Sequence, residues 1–107
     1  MNVKYNQSVE TLKSWGATQI QIDAILASGV DTEDDKSFEL NRRQRMIESI
    51  DECLQLLFPD RKKRQYFMTH TSNTLFFARR KPLDVLALGS LSSLEQSYQS
   101  IRSMLCI

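Results

Sequence analysis

His70 is the only histidine of the 107-residue chain. It stands in Thr69-His70-Thr71-Ser72-Asn73, a polar run that reads as loop. No second histidine and no cluster of Cys or acids accompanies it, so a metal site is not expected. Cys53 and Cys106 lie inside apolar helical patterns and form no spaced pair, which reads as two reduced thiols. There is no Gly-rich phosphate loop, no G-x-S-x-G elbow and no H-E-x-x-H. The serines that crowd the C-terminal stretch have no histidine near them in sequence to act as a base, although folding could bring His70 close. Asp84 and Glu95 fall at helix starts, where a carboxylate complements the helix dipole without doing chemistry. The expectation is a binding or regulatory module with no cofactor of its own, not an enzyme.

The cations come in three groups: Arg42, Arg43 and Arg45; Arg61-Lys62-Lys63-Arg64; and Arg79-Arg80-Lys81. Net charge is only +1. Residues 1–41 nevertheless sum to −4 and residues 42–107 to +5. That asymmetry fits either an anionic partner for the basic part or two halves that attract each other. The 61–64 run stands beside Tyr66 and Phe67, a combination found in nucleic-acid patches and also on plain solvated faces.

The elements that must position these groups read as helices. Ser8 to Trp15 places Val9, Leu12 and Trp15 on one face, and Gly16 ends it. Thr18 caps a second helix, Gln19 to Ala27, with Ile22, Ala24, Ile25 and Leu26 on its apolar side and Ile20 poorly placed. Such a pair resembles the opening of a helix-turn-helix. The reading helix that should follow is replaced by Asp31, Glu33, Asp34 and Asp35, which repel phosphate. This acidic stretch, 29–37, reads as a loop, with Phe38 and Leu40 tucked onto the core.

Asn41 then caps the longest helix, Arg42 to Phe58. Met46, Ile47, Ile50, Cys53, Leu54, Leu57 and Phe58 form its core stripe, while Arg42, Arg43, Arg45, Glu48, Asp51, Glu52 and Gln55 face away. Pro59 breaks the run and a short basic helix follows. Pro82 opens another short helix, where its missing N–H costs nothing, and Gly89 closes it. Ser92 and Glu95 read as the capping box of a last helix. Its seam, Leu91, Leu94, Tyr98, Ile101 and Leu105, is spaced 3, 4, 3 and 4 residues apart, with serines opposite.

An apolar content of 41% supports one packed core, and three Gly and two Pro are too few for an all-β fold. No apolar run reaches the length of a membrane span and Met1 opens no signal peptide, so a cytoplasmic protein away from the membrane is expected.

The order of these features resembles the Xre/MbcA/ParS family of bacterial antitoxins, over nearly the whole chain. Leu12-Lys13-Ser14-Trp15-Gly16-Ala17, Gln21 and Ile25-Leu26 are similar to its opening helix pair. Arg45 to Ile50 and Leu54 to Pro59 are similar to its central helix and the break after it. Asn73, Phe77, Arg80, Pro82-Leu83-Asp84-Val85 and Gly89 resemble its most distinctive run. Two features depart: Arg79 stands where the family usually has Gly, and the acidic stretch stands where its DNA-reading helix belongs.

The resemblance implies an all-α fold in two regions, a degenerate helix-turn-helix at 1–40 and a helical toxin-binding domain at 41–107. It implies an antitoxin that neutralises a cognate RES-type, NAD-degrading toxin by protein–protein contact, with weak autoregulation of its operon. The NAD chemistry belongs to that partner. On this reading Arg79, Arg80 and Lys81 occupy an anion pocket of the toxin, and Met104, Cys106 and Ile107 project as further contacts; the three cations read equally well as a plain surface run. The alternative is a DNA-binding regulator that sets Arg42, Arg43, Arg45, Arg61, Lys62, Lys63 and Arg64 on phosphates. Homo-oligomerisation is compatible with either.

Overall fold

A computed structural model describes residues 3–26, 33–72, 74 and 76–105. Six helices account for the secondary structure of those residues: α1 (Val3–Ser14), α2 (Gln19–Ile25), α3 (Glu33–Leu57), α4 (Arg61–Thr69), α5 (Pro82–Leu86) and α6 (Leu91–Ser103). The fold is all-α. The one pairing of extended backbone is an isolated antiparallel bridge between Ser72 and Arg80. No helix among the described residues is long and apolar enough to cross a membrane.

The central element is α3, against which α6, α1 and α4 pack; α5 fills the space between α6, α4 and α2. Ile47, Ile50, Cys53 and Leu54 of α3 are buried in one cluster with Leu12 and Trp15 of α1, Ile22 and Ile25 of α2, Met68 of α4, Leu83, Val85 and Leu86 of α5, and Leu94 and Ile101 of α6. The seam of α6 is thus satisfied within the chain. Leu94 and Ile101 are buried, and Leu91, Tyr98 and Leu105 pack against the same cluster half-buried. Ser97 is buried on that side as well, so the serines do not all face outward.

Several boundaries differ from the sequence expectation. The longest helix begins at Glu33, not Arg42, so Asn41 is an interior residue and the acidic segment from Glu33 onward is helical. An acidic start suits the positive end of a helix, and this local preference prevails over loop formation. The helix runs unbroken through residues 40 and 41. Leu40 packs half-buried on the core, while Asp31 and the side chain of Phe38 lie outside the described residues. Helix α1 starts five residues before Ser8, at Val3, and α2 closes at Ile25 with Leu26 as its C-cap. Helix α6 is capped by Ser90, whose hydroxyl accepts the Ser93 N–H at 3.0 Å, not by Ser92. Glu95 instead meets Arg42 of α3 at 3.2 Å.

Local signals hold where they are chemically specific. Thr18 and Gln21 form a reciprocal capping box. Pro82 occupies the first turn of α5. Gly89, at φ 87°, takes the left-handed conformation that ends the α5 segment. A Cβ there would lie 3.4 Å from the Ala24 carbonyl oxygen, so the residue also lets α2 approach.

Candidate functional site

Two cationic features flank one aromatic row. Phe58 stacks at a tilt on Phe67 at 5.2 Å, Phe67 meets Phe77 edge-on at 6.4 Å, and Phe77 meets Phe76 at 5.1 Å. The Arg80 guanidinium lies 5.6 Å above the Phe76 ring. The row therefore runs from the end of α3, across α4, to the turn that carries Arg79, Arg80 and Lys81.

That turn is built against backbone preference. Ala78 and Arg79 both have positive φ, 50° and 67°, although neither is glycine. Arg79, which departs from the Gly expected by resemblance, is thus left-handed although it is an arginine. Four hydrogen bonds help to hold the turn. The Arg79 N–H donates to the Ser72 carbonyl at 2.7 Å, and the Ser72 N–H donates to the Arg80 carbonyl at 3.0 Å. Arg80 donates through Nε to the Phe77 carbonyl at 2.8 Å and through Nη2 to the Phe76 carbonyl at 2.7 Å. Arg80 thus fastens its own turn. Arg79 and Lys81 are exposed, and none of the three cations joins an ion pair among the described residues. Immediately after them Pro82, Leu83, Val85 and Leu86 are buried, which fixes the turn to the core.

The other proposed contacts are less prominent. Met104 is the half-buried C-cap of α6, its N–H donating to the Ile101 carbonyl at 3.1 Å. It is expected from the sequence to project, and part of it is exposed. Ile107, Cys106 and Asn73 lie outside the described residues.

The seven cations assigned to nucleic acid divide into different roles. Arg43 is only 4% exposed. Its Nη1 donates to the Ile25 carbonyl at 3.0 Å and its Nε lies 3.4 Å from Glu39. It joins α3 to the end of α2 and does not face away from the core. Arg42 is tied to Glu95, and with Arg45 it lines a hollow of about 280 Å³ shared with Tyr98 and Gln99. Arg64 donates to the Phe58 and Pro59 carbonyls at 2.8 and 2.9 Å, closing the end of α3. Arg61, Lys62 and Lys63 remain exposed around the first turn of α4. Asp60 caps that helix by accepting the Lys62 N–H at 3.1 Å, which offsets part of the charge conflict with the dipole.

Beside these cations the structure holds a cleft of about 440 Å³, lined by Phe58, Lys63, Tyr66, Phe67, His70, Thr71 and Ser72. Tyr66 and His70, one helical turn apart, stack with ring centres 3.8 Å apart and planes 16° from parallel. The sequence reading placed His70 in a loop without a role; it is the C-cap of α4, and Thr69 belongs to the helix. The signal that was available is the four-residue spacing of two rings at a helix end. Asp84 accepts from the Gln21 amide at 3.2 Å, which joins α5 to α2. Cys53 is a buried free thiol, and burial pushes its pKa up. Among the described residues no three His, Cys, Asp or Glu side chains converge as metal ligands would.

Compared with protein-family models, curated proteins and solved structures, the chain matches none of them.

Proposed function

We propose that the chain is an antitoxin that neutralises a RES-type, NAD-degrading toxin by direct protein contact, with the Arg79–Lys81 turn at the centre of the contact. One observation carries the reading: the turn is held in a costly conformation and fastened at Ser72, Phe76 and Phe77, yet Arg79 and Lys81 are exposed and have no carboxylate partner among the described residues. Left-handed backbone at non-glycine residues persists only where surrounding contacts impose it, and such strain gathers at functional segments. Rigid presentation lowers the ordering cost of binding. An exposed arginine and lysine two residues apart on one fixed turn suit a pocket made for a phosphate-bearing substrate. The resemblance of Phe77, Arg80, Pro82-Leu83-Asp84-Val85 and Gly89 to the antitoxin family supplies the identity of the partner.

The test is co-purification with the cognate toxin, followed by assay of NAD loss. An Arg79→Ala/Lys81→Ala double variant is expected to lose toxin capture and protection of NAD while melting close to wild type. Arg80 is left in place because it holds the turn. Equal capture by variant and wild type would mean that the cations are ordinary surface. Steeply salt-dependent binding of the chain to its own promoter, with no effect on the toxin, would favour the DNA-binding regulator instead.

A further inference from the structure

The cleft beside α4 has features that toxin binding does not use. Its floor is aromatic, with Phe58 and Phe67 in contact at 5.2 Å. Its side is the Tyr66–His70 stack, and Tyr66 stays 63% exposed. The stack is locked from behind. His70 Nδ1 lies 2.9 Å from the Tyr66 carbonyl oxygen. The Thr69 hydroxyl, 3.1 Å from the same Nδ1, closes that side of the ring as well. Lys63 stands on the lining, and Arg61 and Lys62 are exposed just before it. None of these three cations is paired with a carboxylate among the described residues. On the far side Ser72, another lining residue, is hydrogen-bonded to the backbone of Arg79 and Arg80.

We infer that this cleft binds single-stranded nucleic acid, seating an unstacked base against the Tyr66–His70 pair with the flanking phosphates on Lys63, Lys62 and Arg61. A planar ring fits an aromatic floor and a stacked side, and the cationic rim is complementary to a chain of phosphates. Lys63 lines the cleft, and Lys62 and Arg61 lead away from it round the first turn of α4, none of them ion-paired among the described residues, so the cations match a chain of phosphates better than a single one. A duplex keeps its bases stacked inside and has no splayed ring to offer. Aromatic platforms joined to cationic tracks are the general means of holding single strands, with little regard to sequence. This site is distinct from the Arg79 and Lys81 side chains assigned to the toxin, so either can fail without the other.

The experiment is fluorescence anisotropy of the full chain with a labelled RNA or DNA single strand of about eight nucleotides, a length within the usual site sizes. Binding is expected to weaken as salt rises. Tyr66→Ala should weaken it roughly tenfold or more, the scale of one lost base stack. Tyr66→Phe keeps the ring and should bind like wild type. His70→Ala serves as a second probe of the same platform should Tyr66→Ala melt early. Lys62→Ala with Lys63→Ala should flatten the log–log salt slope by about 1.4, two phosphate contacts on a single strand. The inference is overturned by absence of binding at low salt, or by a duplex or free mononucleotide binding as tightly as the strand. It is also overturned by polyglutamate displacing the strand at equal charge, or by well-folded Tyr66→Ala and His70→Ala variants that bind like wild type.

Discussion

Arg43 reaches from α3 to the carbonyl oxygen of Ile25 at 3.0 Å, joining the central helix to the end of α2 by a buried cation. Ile25 is one of the last carbonyls of α2, which helix geometry leaves without an internal partner. Glu39, 3.4 Å from Arg43 Nε, balances the charge. Arg43→Ala is therefore expected to cost about 2–3 kcal/mol, the scale of a charged hydrogen bond lost in a buried setting. Arg42→Ala removes only an exposed pair with Glu95 and should cost less than about 1 kcal/mol. Denaturant melts of the two variants side by side test the distinction.

Leu54 is fully buried at the centre of α3. Leu54→Ala should cost about 2–5 kcal/mol. A loss below about half a kcal/mol, the scale of an ordinary surface change, is incompatible with that burial.

The left-handed pair before Arg80 gives a prediction of opposite sign. Arg79→Gly removes the steric cost of positive φ, about 1–2 kcal/mol. It adds unfolded-state entropy worth about 0.4–1 kcal/mol. The net expectation is a gain of about 0.5–1 kcal/mol, read as a higher melting temperature. Gly89→Val should lower it, because a β-branched side chain would meet φ 87° and the Ala24 carbonyl together. If Arg79→Gly instead melts lower, the turn is not strained as described.

Removal of residues 1–40 tests whether the region from Asn41 onward stands alone. Such a chain loses Leu12, Trp15, Ile22, Ile25 and Leu26, all buried against α3 and its neighbours. It is also cut inside α3. No cooperative thermal transition is expected by circular dichroism. A sharp two-state melt of that fragment would show that the later helices close a core without α1 and α2.

Burial raises the Cys53 pKa, with Glu52 adding to the effect and Arg102 opposing it. The folded protein thus keeps this proton to higher pH than the unfolded chain does. Stability from this group is intact below the ordinary thiol value of about 8.5 and falls as pH rises through and above it. Cys53→Ala should lose less stability than wild type between neutral and alkaline pH. Peptide mapping after iodoacetamide should show slow labelling of Cys53 until the fold is disrupted.

What could be read from the sequence was decided by nearest neighbours along the chain. Thr18 with Gln21, Pro82 and Gly89 each impose a geometry through contacts a few residues away. The stripe Ile47, Ile50, Leu54 needs only helical periodicity. Arg43 was misplaced because its partner carbonyl is 18 positions away. Ser90 and Ser92 are equivalent as residue types, and packing of α6 selects between them. The α4 cleft was half visible: the cations and rings were adjacent in sequence, but its far wall at Ser72 comes from the bridge to Arg80. The left-handed backbone at Ala78 and Arg79 has no signature in those residue types.

Trp15 is the only tryptophan in the chain, and it is completely buried. Its indole N–H donates to Asp51 at 2.9 Å, where α1 docks on α3. The protein therefore carries an optical reporter at a single joint. Near-ultraviolet emission excited in the indole band comes from one environment and follows the seating of α1 on the core. The next residue, Gly16, sits close to Gln65 and Thr69, so the same indole also senses how α4 packs beneath its cleft. A spectral change on mixing with a partner would locate a rearrangement in the body of the protein, without any label added.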